Sequence, residues 1–191
     1  MPRHYYDRNA EDFFRNTIDV DMTEIYNEFT SLLPEKAKII DIGCGAGRDI
    51  LYFKKLGYNI IGVDNSPEIV RLASKYTKEN IILQDFTKLD YREEFDGIWA
   101  CASLLHFNKT KLISVIEKII EYIRKSGIIY TSFKYGDFEG VRNGRYFSDF
   151  TEKSFSTLVL KSKIQIIKMW TTNDRRPDRT TQWLNIILAR K

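Results

Sequence analysis

An α/β fold built on a mostly parallel sheet is the expectation for this 191-residue chain, and three features predict it. Lys38–Ile42 reads Lys-Ile-Ile-Asp-Ile, nearly continuous in β-branched residues, as a strand covered on both faces requires. Gly43, Gly45 and Gly47 follow. They let the backbone turn sharply and approach a ligand, and a helix over residues 48–56 points its free N–H groups back at that turn. The unit then repeats. Asn59–Asp64 is a second apolar strand ending in an acid, with Ser66 and Pro67 as N-cap and first residue of the next helix.

The remaining elements follow in order. Residues 81–84 form a short strand that leads to Asp85 and Phe86. Residues 95–103 are a fourth strand and its exit, opened by Asp96. Leu112, Val115, Ile116, Ile119 and Ile123 fall at helical spacing. Gly127 introduces a fifth strand over residues 128–133. Residues 134–150 read as a loop insertion, and Thr151 with Ser154 starts a short helix. Residues 163–170 form a sixth strand, 171–181 a polar loop and 183–189 a last apolar strand. No helix separates the last two strands, so they pair as an antiparallel hairpin. Ahead of the first strand, Tyr5, Tyr6, Phe13 and Phe14 precede a helical stretch over residues 22–33, which Pro34 ends.

Composition narrows the function classes. Hydrophobic residues are 43% and charged residues 29%, ordinary for a globular protein. A net charge of +4 is compatible with an anionic substrate but does not mark a nucleic-acid binder. Cys44 and Cys101 make no disulfide framework, which suits a reducing cytoplasm. The first residues are polar, and no apolar run approaches the ~20 residues that span a bilayer, so no membrane association is expected. The two histidines are far apart and no ligand cluster surrounds them, so no metal is expected either.

The glycine turn is not a dinucleotide fingerprint, because Arg48 stands where G-x-G-x-x-G needs its last glycine. Asp41 at the strand end would repel a pyrophosphate. Two unit charges ~4 Å apart interact by about 4 kcal/mol at an effective dielectric near 20. Asp41, Asp64 and Asp85 end three strands on one sheet edge, which favours a ligand carrying positive charge and no phosphate. S-adenosylmethionine, with a sulfonium and an ammonium, is such a ligand.

At Asp41-x-Gly43-x-Gly45-x-Gly47 and at Asp64 the chain resembles the class I, Rossmann-like S-adenosylmethionine-dependent methyltransferases of the compact small-molecule type. A looser likeness runs from Tyr5 to the last strand. The resemblance implies a three-layer αβα sandwich with a seven-stranded, mostly parallel sheet whose last strand is antiparallel. It implies one domain over residues 1–191, with an N-terminal helical lid over 1–34 and a Rossmann-like core over 35–191. Cofactor contacts are expected from Tyr5 and Tyr6 in the lid and from Asp41, Gly43, Cys44, Gly45, Arg48 and Asp49 around the turn. Asp64, about twenty residues past the glycines, suits the ribose, with Asn65 and Ser66 beside it. Asp85 and Phe86 would meet adenine, and Cys101, Ala102 and Ser103 would approach the sulfonium.

The acceptor is less legible. His106, just past the fourth strand, is the candidate base, with a lining role as the alternative. Tyr135, Arg142, Arg145, Tyr146, Arg175 and Arg179 lie on the two loops expected at the active edge. Arginine forks there suit a small anionic acceptor. The Pro-Pro-aromatic run of base-amino methyltransferases and the paired glutamates of arginine methyltransferases are both missing at residues 100–103. Cys101 also lacks the neighbours expected of a covalent nucleophile. A tRNA-modifying methyltransferase, or a non-catalytic cofactor-binding subunit, are the alternatives. RNA is a possible partner, though not the favoured one.

Overall fold

The computed structural model describes residues 3–177 and 179–191, with Arg3 described by its backbone alone. Two short helices, α1 (Arg3–Arg8) and α2 (Ala10–Thr17), open the chain, and α3 (Thr23–Thr30) follows. Strand β1 (Lys38–Ile42) and helix α4 (Arg48–Lys55) flank the glycine turn. Next come β2 (Asn59–Asp64), α5 (Pro67–Thr77), the two-residue β3 (Ile82–Leu83), β4 (Phe95–Ala100) and α6 (Lys109–Ile119). The chain then forms β5 (Ile123–Lys134), β6 (Glu139–Arg142), β7 (Arg145–Ser148), α7 (Glu152–Val159), β8 (Ile164–Asn173) and β9 (Gln182–Arg190).

One seven-stranded sheet organises these elements, in the order β3-β2-β1-β4-β5-β9-β8. β1, β2, β3, β4 and β5 pair in parallel, and β9 runs antiparallel between β5 and β8. Alternation along β1 feeds two cores. Ile40 and Ile42 pack with α6 and α7 on one face, and Ile39 packs with α3, α4 and α5 on the other. This is the three-layer arrangement, with the last strand reversed. Trp99 of β4 anchors the second core. It stacks on Tyr130 at 4.0 Å between ring centroids, and its indole N–H donates to Asp49 at 2.7 Å.

Local chemistry set several boundaries as expected. The Ser66 hydroxyl accepts from the Ile69 N–H ahead of Pro67. Thr151 and Ser154 form a reciprocal capping box at α7. Other expectations are corrected. Residues 134–150 are not a plain loop. They carry the β6–β7 hairpin, turned at Asn143 and Gly144 with φ of +49° and +73°. Ile123 belongs to β5 rather than to the preceding helix, because a short turn over residues 120–122 ends the helical run. The helix of residues 22–33 is shorter, α3 only. Among the described residues no helix is long and apolar enough to cross a membrane.

Candidate active site

A cavity of about 420 Å³ opens at the carboxyl ends of β1, β2, β4 and β5, roofed by α1 and α2. That volume lies within the ~300–1,000 Å³ typical of ligand sites. Its floor is the glycine turn. Gly43, Gly45 and Gly47 all have positive φ, and a Cβ on Gly43 would fall 2.6 Å from the Ser103 Cβ. Phe13 of α2 lies over Gly45, where a Cβ would stand 3.0 Å from the ring. Asp64 joins the turn to the next helix: its carboxylate accepts from the Gly45 N–H at 3.2 Å and the Ser66 N–H at 3.0 Å. Burial raises the Asp64 pKa from its ordinary value.

Behind the turn, Asp49 is a buried hub. It accepts from Arg48 Nε at 2.5 Å, from Trp99 Nε1 at 2.7 Å and from the Tyr26 hydroxyl. Arg48 also donates to the Thr17 carbonyl at 3.2 Å, which ties the end of α2 to the core. Cys101 sits on the cavity wall as a buried thiol, pushed up to about 12 by burial and then by the Asp49 carboxylate. It is therefore no thiolate at neutral pH. Ala102 beside it holds a left-handed φ of +51°, its N–H donating to Ser132 Oγ at 2.9 Å.

His106 lies against Tyr6 of α1 with both ring nitrogens engaged. Nδ1 lies 2.7 Å from the Tyr146 carbonyl, which can only accept, so Nδ1 carries the proton. Nε2 therefore accepts from the Tyr6 hydroxyl at 2.9 Å. Burial lowers the His106 pKa to about 4, so the ring is neutral at pH 7. In this arrangement its one lone pair is held by Tyr6. For His106 to take a proton from an acceptor, Tyr6 must first release it.

Most of the expected site residues converge here. Tyr5, Tyr6, Gly43, Cys44, Gly45, Arg48, Asp49, Asp64, Asn65, Phe86, Cys101, Ala102, Ser103, His106, Arg145, Arg175 and Arg179 line the cavity. Six do not. Asp41 is fully buried behind the turn, with one carboxylate oxygen lacking a hydrogen-bond partner. Burial, and then the Asp49 charge, raise its pKa well above the ordinary carboxylate range. Ser66 is buried as a helix cap, its hydroxyl donating to Asp7 at 2.6 Å. Asp85 caps the turn after β3, accepting from the Thr87 N–H at 2.9 Å. Tyr135 points outward to Glu152, Arg142 pairs with Asp149, and the Tyr146 hydroxyl bonds Glu139.

Other cavity residues were not anticipated. Asn9, Phe13 and Thr17 come from the α1–α2 segment, Lys134 and Ser132 from β5, Phe147 from β7 and Asn185 from β9. Strand parity was the available signal. Tyr130, Ser132 and Lys134 share one face of β5, whereas Tyr135 falls on the other. Among the described residues no group of three or more His, Cys, Asp or Glu side chains is placed to hold a metal ion.

Comparison with known proteins agrees with this geometry. The methyltransferase domain family matches residues 39–127. YqeM of Bacillus subtilis (strain 168) is 30% identical over 115 residues, covering 53% of this chain and 46% of that protein. The tRNA (carboxymethyluridine(34)-5-O)-methyltransferase of Arabidopsis thaliana is 30% identical over 107 residues, covering 53% of this chain and 25% of the relative. The chain thus spans less than half the length of either relative. The crystal structure of 1,6-didemethyltoxoflavin-N1-methyltransferase from Burkholderia thailandensis superposes with a TM-score of 0.82 at 21% identity, covering 99% of this chain and 87% of that one. The chain has the class I, Rossmann-like S-adenosylmethionine-dependent methyltransferase fold.

Proposed function

We propose that this chain is an S-adenosylmethionine-dependent methyltransferase acting on a small acceptor held between the lid helices and the β6–β7 hairpin. The observation that carries this reading is the floor of the cavity: a glycine turn too close-packed for side chains, with the Asp64 carboxylate bonded to the turn's own N–H. That cradle admits a ligand against bare backbone and presents an acid where ribose hydroxyls would lie.

S-adenosylmethionine, when bound, supplies a methyl group on a positively charged sulfur, already activated for transfer. Gly43, Gly45, Asp64, Asn65 and Phe86 would hold its nucleoside, with Cys101, Ala102 and Ser103 along the wall. Alignment of the reacting atoms is then the chain's main contribution, of order 7–11 kcal/mol in well-oriented systems. Tyr6 and His106 close the site from above, excluding water and fixing the hydroxyl that faces the acceptor.

Calorimetric titration of S-adenosylmethionine, S-adenosylhomocysteine and NAD tests the reading. Both adenosyl ligands are expected to bind and NAD is not. Asp64→Ala should weaken the adenosyl ligands at least tenfold. Binding of NAD, or of neither adenosyl ligand, would overturn the reading. A tRNA-modifying reading is the second candidate. It rests on the likeness to the Arabidopsis enzyme and on Tyr5, Arg145, Arg175 and Trp183 around the cavity, which could stack a base. Steeply salt-dependent retention on tRNA would favour it. Turnover by the chain alone would argue against a non-catalytic, partner-dependent subunit.

A further inference from the structure

We infer that Lys134 and Arg145 together bind the anionic group of the acceptor, and that the acceptor is a small organic acid whose flat body lies among Tyr5, Phe147 and Trp183. This inference rests on the methyltransferase reading and names the class of its acceptor.

Charge pairing singles out these two residues. Most cations at the cavity are already matched. Arg48 pairs with Asp49 at 2.5 Å, and Arg175 pairs with Glu24. Arg176 grips Asp174 through two bonds of 2.9 and 2.5 Å. Arg142, outside the cavity, takes Asp149. Arg179 reaches the cavity from an exposed position, where water solvates it. Among the described residues, Lys134 and Arg145 line the cavity with no carboxylate in ion-pair contact.

Their surroundings are built for a guest. The Arg145 guanidinium lies 4.3 Å over the Tyr5 ring and 5.1 Å from the Phe147 ring centroid. Its Nε is shielded from solvent and bonded to nothing, and Nη1 makes only a long 3.4 Å contact with the Tyr6 hydroxyl. Lys134 Nζ lies 4.6 Å over the same Phe147 ring. Two half-buried cations thus lie against one aromatic ring, with Arg142 a third at 5.4 Å from its centroid. Asp149 stands nearby, with one carboxylate oxygen on Arg142 and the other buried without a hydrogen-bond partner; its charge offsets only part of the repulsion, and an anionic guest would offset the rest. Burial and then the Arg142 charge lower the Lys134 pKa; the Asp149 carboxylate offsets part of this, and Arg145 lowers it further.

The fold explains the convergence. Parity along β5 turns Lys134 to the cavity side with Tyr130 and Ser132. Parity along β7 turns Arg145 and Phe147 the same way. Trp183 stands directly opposite Lys134 in the β5–β9 register. A stacked guanidinium leaves its N–H edge free for the in-plane bonds that a carboxylate or a phosphate accepts.

The test is a protein-observed NMR titration with benzoate, phenyl phosphate and the neutral benzamide, with and without saturating S-adenosylhomocysteine. At least one anion is expected to bind ten or more times more tightly than benzamide, and the preferred one identifies carboxylate or phosphate. Lys134→Met and Arg145→Gln should each cost that anion at least fivefold, leaving benzamide and S-adenosylhomocysteine affinities unchanged. Arg145→Lys should recover part of the loss. Equal binding of anions and benzamide, no binding of any, or anion affinity untouched by both substitutions would overturn the inference. Failure of S-adenosylhomocysteine alone to bind would overturn the methyltransferase reading instead, since the anion comparison without it still reads out.

Discussion

Gly43 and Gly57 both hold left-handed backbone, with φ of +75° and +86°, but only one has a neighbour in the way. A Cβ at Gly57 meets nothing within 4 Å, whereas at Gly43 it would overlap Ser103. Gly57→Ala therefore carries the conformational cost alone, about 1–2 kcal/mol. Gly43→Ala adds a clash with the Ser103 Cβ at the cavity floor. Thermal unfolding should fall further for Gly43→Ala, and its S-adenosylhomocysteine affinity should drop more than tenfold while that of Gly57→Ala holds. Asp41 makes a second case. Its folded pKa is raised well above the usual range, so the folded chain keeps a proton that the unfolded chain releases above about pH 4. Its contribution is most favourable below that pH and declines as pH rises toward the folded value. Asp41→Asn removes the penalty. Urea unfolding should show the variant more stable than the parent at pH 7, by about 1.4 kcal/mol for every tenfold weakening of the buried carboxyl as an acid, and little different at pH 4. A variant less stable at both pH values would mean that Asp41 is ionised and held by a partner.

At the scale of elements, α1 and α2 pack on α5, with Phe14 edge-on to Tyr76, and are tied to the rest by identifiable contacts. Helix α1 is fixed through Tyr6 to His106, through Asp7 to Ser66 and by Arg145 against Tyr5, and α2 through Phe13 on Gly45 and Arg48 on Thr17. Tyr6→Phe removes one hydrogen bond and leaves a buried imidazole nitrogen without its donor, at a cost of about 1–3 kcal/mol. Because α1 and α2 are short, that loss should be local. Hydrogen exchange should quicken in residues 3–17 while β1, β4 and β5 stay protected. Uniform acceleration across the sheet would show that the lid and the core unfold together. The β6–β7 hairpin acts similarly from the other side. The Tyr146 carbonyl fixes the His106 tautomer, and Arg145 and Phe147 supply the wall.

For the whole molecule, the cavity lies at a sheet edge beneath α1 and α2, so a bound ligand would bridge these helices and the sheet. S-adenosylhomocysteine at a hundred times its dissociation constant should add about 2.7 kcal/mol. For a chain of this length that corresponds to a rise in unfolding temperature of about 5–10 °C. A thermal scan with S-adenosylhomocysteine and with NAD checks it: NAD should leave the transition in place. Equal shifts with both would signal a general adenosine site.

The sequence by itself determined the alternation of strands and helices, the glycine turn, the capped helices at Ser66 and Thr151, and the reversed final pair. Each is written in contiguous residues, through β-branched runs, positive-φ glycines and cap hydroxyls, and such local signals need no knowledge of distant contacts. The strand-end part of the cavity lining was legible for the same reason, since strand ends in this topology share one edge. Only the tertiary structure decided which polar groups face the cavity. Asp41 and Asp64 both stand at or near the ends of apolar strands, yet Asp41 is buried between the flanking strands β2 and β4, while Asp64 turns into α5 and lines the cavity. Arg142 and Arg145 are equally basic on paper. Asp149 neutralises one, and three aromatic rings leave the other without a counterion. Burial and charge pairing depend on residues far apart in the chain, so the side chains free to meet an acceptor emerge only once the sheet, the hairpin and the lid are assembled.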